Sequence, residues 1–145
     1  MGARQPAHGQ EWRRSYHVGA HPAGEADHDA LLAFVEAAHL DWCGFFAYSA
    51  EDGTYATSLD GAVDRSLAHE RLGELDELQS GITARKRDEM IGCEVEVLVD
   101  EPGIGRTYRE APEIDGIVAV SNGLEPGEFA TVVVSGAEGP DLRAS

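Results

Sequence analysis

The residues best suited to chemistry or recognition lie between positions 105 and 120, in "GRTYREAPEIDGIVAV". Tyr108, Arg109, Glu110, Glu113 and Asp115 fall close together there, a phenol, a guanidinium and three carboxylates. Such a set could do chemistry itself, or hold a partner for chemistry done elsewhere. Pro112 restricts the backbone among them and lowers the entropy cost of presenting them. We take all five as partner-binding candidates, with Glu110, Glu113 and Asp115 forming an acidic edge for a basic protein. The plainer reading is an exposed hairpin tip between two strands.

Other candidates carry less. Ser49 and Glu51 stand beside Gly53 and Thr54, a pattern that suits a strand-to-loop turn with local hydrogen bonds better than a catalytic pair. His17 and His21 are four apart and His28 follows, but Pro22 argues against a shared helix and no zinc-type spacing accompanies them. Cys43 and Cys93 are distant in sequence and sit in apolar, strand-like surroundings, so two buried thiols are expected rather than a disulfide or a nucleophile. Arg85, Lys86 and Arg87 read as a solvated helix C-terminus more readily than as an RNA contact. No catalytic, cofactor-binding or metal-ligating residue is assigned.

The chain has 145 residues and a formal net charge of −16. Residues 91–145 hold eleven acidic and three basic side chains, a net of −8. Nucleic-acid binding draws most of its affinity from cations that neutralise phosphates, so this third of the chain favours a basic protein over bare RNA. The longest apolar runs are too short to cross a bilayer, and the first residues lack the apolar core of a secretory signal. A cytoplasmic location with no membrane partner is the resulting expectation.

These candidates must be positioned by the surrounding elements. Residues 1–24 lack periodicity and read as irregular. From Glu25, the spacing of Leu31, Phe34, Val35 and Ala38 predicts a one-sided helix capped by Asp27 or Asp29. The aromatic run "WCGFFAY" has strand length, and loop follows it to residue 63. Residues 64–90 read as one long helix with a stripe of Leu72, Leu75, Leu78, Gln79 and Ile82, weakened at Gly73 and Gly81 by about 1 kcal/mol each. Gly92 is a stop signal. The period then becomes two, with Val95, Val97 and Val99 facing one way. Strands expected at 95–99, 106–109, 117–120, 129–134 and 142–144 predict a small five-stranded antiparallel barrel that leans on the helix.

That barrel resembles a TRAM domain, the OB-like barrel of methylthiotransferases of the radical S-adenosylmethionine class. "GRTYREAPEIDGIV" is similar to the RimO-type branch, which modifies an aspartate of small-subunit ribosomal protein uS12. A second segment, "LDWCGFFAYSAEDGTYA", resembles a late part of the family's radical-SAM barrel, matching at Asp41, Gly44, Phe46, Tyr48, Ser49, Glu51, Gly53, Thr54 and Ala56. The resemblance implies an α+β chain: a helix–strand remnant of a TIM-like barrel at 25–63, a connector helix at 64–90 and a TRAM domain at 91–145. It implies a basic ribosomal protein, uS12, as partner. It also implies a family chemistry that uses two 4Fe–4S clusters and S-adenosylmethionine.

Radical-SAM chemistry needs three cysteines in a C-x3-C-x2-C loop to hold a cluster with one open iron. This chain has two cysteines, fifty residues apart. The family's N-terminal domain is also missing, and Ala20-His21-Pro22-Ala23-Gly24 replaces its Phe-Pro-Gly-Glu-Thr turn. The expectation is therefore a C-terminal fragment, inactive alone and holding no cofactor, that supplies the docking domain. A standalone RNA-binding TRAM module and a non-functional remnant are the alternatives. Trp42 and Phe46 are expected to expose apolar surface.

Overall fold

The computed structural model describes residues 16–18, 24–58 and 62–145. His21, the Ala20–Gly24 replacement up to residue 23, and the side chain of His17 lie outside the described residues.

Strand β1 (Tyr16–Val18), helix α1 (Glu25–Ala38) and strand β2 (Phe45–Ala47) form a β–α–β unit. The strands pair in parallel, Tyr16 opposite Phe45 and Val18 opposite Ala47. Part of the segment read as irregular is thus a strand: three residues carry too little periodicity to register in sequence, and β2 supplies the hydrogen bonds. At the start of α1 the cap is Gly24, one turn before the expected aspartates, and Asp27 reaches back to accept the Gly24 N–H at 3.0 Å. His39 ends the helix in the left-handed region, at φ 50°, and its N–H returns to the Val35 carbonyl.

Helix α2 (Arg65–Asp88) begins at Asp64, whose carboxylate accepts the Ser66 N–H at 2.8 Å. Its stripe buries Leu75 and Ile82 completely against Val35 and Phe45, with Leu31, Leu32, Leu72 and Leu78 packed around them. Each fully buried side chain contributes about 1.5–3 kcal/mol. Gln79, the polar interruption, is buried too and donates from Nε2 to the Leu40 carbonyl at 3.0 Å. The helix leaves through a turn at residues 89–92, with Gly92 at φ 86°.

The remaining chain closes into a barrel of β3 (Glu94–Glu101), β4 (Ile104–Arg106), β5 (Val118–Ala119), β6 (Phe129–Glu138) and β7 (Asp141–Ala144), in the order β3-β4-β5-β7-β6. All neighbours run antiparallel except β5 and β7. Val97, Val118, Val132, Val134, Leu142 and Ala144 fill it, and Met90, from the turn after α2, packs on this core. Gly105 passes so close to β3 that a Cβ would lie 2.4 Å from Val97 Cγ1 and 2.7 Å from the Leu98 carbonyl oxygen.

The strand expected at 106–109 stops at Arg106. Thr107 and Arg109 turn inward and take hydrogen bonds off the sheet, so residues 107–117 form a long excursion instead of a tight hairpin tip. Phe46 is 62% exposed and Trp42 half-buried. No described helix is long and apolar enough to cross a membrane.

Candidate docking site around Arg109

The excursion between β4 and β5 is held by buried polar groups at its root. Arg109 is 3% exposed and Glu110 5%. Glu110 Oε2 accepts the Thr107 N–H at 2.9 Å and its hydroxyl at 2.6 Å, while the Arg109 N–H donates to Thr107 Oγ1 at 3.1 Å. The sequence allows this because a threonine two and three positions before a donor and a carboxylate can satisfy both. The Arg109 side chain then leaves the barrel. Its Nε donates to Asp41 Oδ1 at 2.7 Å, and Nη1 contacts Met90 Sδ at 2.8 Å and lies 3.7 Å from Glu110 Oε1.

Asp41 is the hub of the junction. Its other oxygen accepts Lys86 Nζ at 3.0 Å, its backbone carbonyl accepts the Thr83 hydroxyl at 2.7 Å, and Lys86 also donates to the His39 carbonyl at 2.8 Å. Burial alone would raise the Asp41 carboxyl. The hydrogen bonds and charges of Arg109 and Lys86 outweigh it and hold the pKa below the ordinary value. One carboxylate thereby ties the β–α–β unit, α2 and the barrel together.

Two of the five partner-binding candidates are buried, not at an exposed hairpin tip. Arg109 and Glu110 do not face solvent; their charges are engaged by Asp41 and Thr107. Asp115, half-buried, accepts the Ala111 N–H at 2.8 Å and closes the loop's far end. Tyr108 is 73% exposed, and Glu113 is exposed at φ 63°, the left-handed turn that follows Pro112. Partial burial, then the nearby Asp41 and Glu110 carboxylates, raise the Tyr108 pKa against the opposing Arg109, so its phenol stays a donor at neutral pH. Sequence reading missed Ile114, 73% exposed beside Glu113. Its signal was an isoleucine inside a polar turn.

The basic run at the end of α2 is not simply solvated. Lys86 serves Asp41, and Arg87 pairs with Asp88 at 2.7 Å and donates to the Gly139 carbonyl in the β6–β7 turn. Thr54 N–H and hydroxyl both return to the Glu51 carbonyl, at 3.2 and 2.8 Å, the local turn expected there. His28 bonds Glu74 across the two helices at 2.5 Å.

Both cysteines are free. Cys43 is half-buried, and burial raises its thiol pKa, the opposite of a nucleophile's environment. Cys93 is exposed, not buried, because the chain is still in the turn leading out of α2. Among the described residues no group of three or more His, Cys, Asp or Glu side chains is placed to hold a metal ion. Two thiols in the whole chain do not fit the three-thiolate set of an open-site 4Fe–4S cluster.

Every cation of the barrel is paired: Arg106 with Asp100 at 3.2 Å, Arg109 with Asp41, and Arg143 with Glu138. This leaves no free positive charge there for a phosphate backbone.

Residues 91–145 match the TRAM domain family. Over 92% of its length the chain is 40% identical to ribosomal protein uS12 methylthiotransferase RimO of Methylobacillus flagellatus, covering 32% of that protein. It is 39% identical to the protein of the same name in Aquifex aeolicus over 90% of the chain and 32% of the relative, and 38% identical to that of Burkholderia vietnamiensis over 92% and 34%. The chain thus spans about a third of the length of these curated relatives.

Proposed function

We propose that this chain, a TRAM-bearing homologue of the RimO-type methylthiotransferases over about a third of their length, is the client-docking part of such an enzyme. The relatives' name specifies ribosomal protein uS12, and that basic protein is the client we assign. The catalytic step would be radical insertion of a methylthio group at an aspartate, using 4Fe–4S clusters and S-adenosylmethionine. Cluster ligands for that step must come from residues other than the two cysteines of this chain.

One observation carries the reading: buried Arg109 and Glu110, with half-buried Asp115, stiffen a loop whose outward side chains are Tyr108, Glu113 and Ile114. A loop already ordered gives up little entropy on binding, and tyrosine is among the residues that most often anchor an interface. The acidic balance of the barrel suits a basic protein. The RNA-binding alternative lacks unpaired cations on the barrel.

Calorimetric titration with purified uS12 tests this. Binding should weaken at least tenfold in the Tyr108→Ala, Ile114→Ala double variant, with thermal stability unchanged because both side chains are exposed. Unchanged affinity, or tighter binding to RNA than to uS12, would sink the proposal.

A further inference from the structure

A second surface lies on the outer face of β3 and β6. Inward positions of these strands are apolar, as a closed barrel requires, so the outward ones should be polar. Register places Glu94 opposite Val133, Glu96 opposite Thr131 and Leu98 opposite Phe129. Phe129 is 64% exposed and Val133 41%, with Leu98 half-buried between Phe129 and Arg106. An aromatic and two aliphatics on the solvent side of a barrel cost solubility and add nothing to its core.

Around them stand carboxylates without counter-ions. Glu94 and Glu96 are exposed and pair with no cation among the described residues. Arg106 is engaged by Asp100. The face is also rigid, since Val97, Val132 and Val134 are buried directly behind it.

We infer that the outer β3–β6 face docks a lysine- or arginine-rich protein segment that also carries apolar side chains. Cations would sit on Glu94 and Glu96 while an apolar side chain covers Phe129 and Val133. Charge decides between occupants. A second copy of a chain with net charge −16 is repelled, and RNA or an anionic membrane meets carboxylates. The inference rests on the reading that the barrel docks a basic protein and adds a surface separate from the 107–116 loop.

The test is a titration of the isotope-labelled full chain with a synthetic peptide of alternating lysine and leucine, followed by amide chemical shifts. Shifts should concentrate at Glu94, Glu96, Leu98, Phe129, Thr131 and Val133. The Glu94→Lys, Glu96→Lys variant should bind about tenfold more weakly at low salt, the difference shrinking at high salt. Phe129→Ala should weaken binding at both salts. Reversing Glu36 and Glu77 on the helices should change affinity less than twofold. Should the lysine variant fail to fold, Glu94→Gln with Glu96→Gln must still weaken binding.

Shifts confined to residues 107–116 would overturn this surface and leave client docking standing. Absence of any binding by the cationic peptide would overturn both. Equal losses from the helix reversals, RNA binding at the face, or a dimer that Phe129→Ala abolishes would each overturn the assigned occupant.

Discussion

Replacing Asp41 with Asn keeps its shape and removes its charge. Arg109 then keeps a side chain only 2% exposed, with Nη2 lacking any hydrogen-bond partner and Glu110 Oε1 at 3.7 Å as its remaining carboxylate contact. Unit charges about 4 Å apart attract by about 4 kcal/mol at an effective dielectric near 20, and desolvation offsets part of that. Asp41→Asn should therefore cost about 3 kcal/mol, since it strands a buried cation. Arg109→Met should cost less, about 1–2 kcal/mol, because Asp41 is 29% exposed and keeps Lys86 at 3.0 Å. The double variant should resemble Arg109→Met, giving a coupling of about 3 kcal/mol in magnitude. Urea unfolding followed by far-ultraviolet circular dichroism and by tryptophan fluorescence measures all four corners. Additive costs, with Asp41→Asn below about 0.5 kcal/mol, would refute the hub. The pH dependence has a definite sign. A carboxyl whose pKa is lowered on folding stabilises fully above its unfolded value, near 3.8, and loses that contribution as pH falls through the folded value. Asp41→Asn should remove this acid-limb loss.

Gly105→Ala should destabilise the barrel by about 3 kcal/mol, read as a lower melting temperature, since the new methyl meets backbone that cannot yield. Thr107→Val deletes the hydroxyl shared by Glu110 and the Arg109 N–H, and should cost about 1–2 kcal/mol in denaturant titration. Exposed Cys93 should react with a thiol reagent well before Cys43, whose raised pKa leaves less thiolate at any given pH; mass mapping after brief labelling reads the order.

Periodicity made the helices and the barrel legible. Leu75 and Ile82 on α2, and Val97 and Val99 on β3, recur at the spacing of one buried face, and they are buried. The short strand β1 was not legible, because three residues exist as a strand only through pairing with β2. Nor was the junction. The segments around Asp41 and around Arg109 each resembled the family separately, yet nothing in a linear reading says that residues 68 apart form an ion pair. Charge misled at Arg109 and Glu110 for the same reason. A charged side chain in a turn is usually solvated, and only a tertiary partner reveals that it is buried. Cys93 erred the other way: an apolar neighbourhood in sequence lies at an exposed turn in space.

The buried struts and the exposed side chains of the 107–116 loop make different claims on a binding experiment. Arg109→Met would loosen the loop and weaken docking without having touched the client, so its loss of affinity cannot count as a contact. Tyr108 and Ile114 can be cut back without disturbing Thr107, Glu110 or Asp41, because none of the hydrogen bonds at the loop root uses them. Affinity losses at these two with unchanged melting temperature isolate contact from positioning. If only strut variants weakened docking, each in proportion to its loss of stability, the loop would be a structural tie between barrel and helix, and client recognition would belong to another surface.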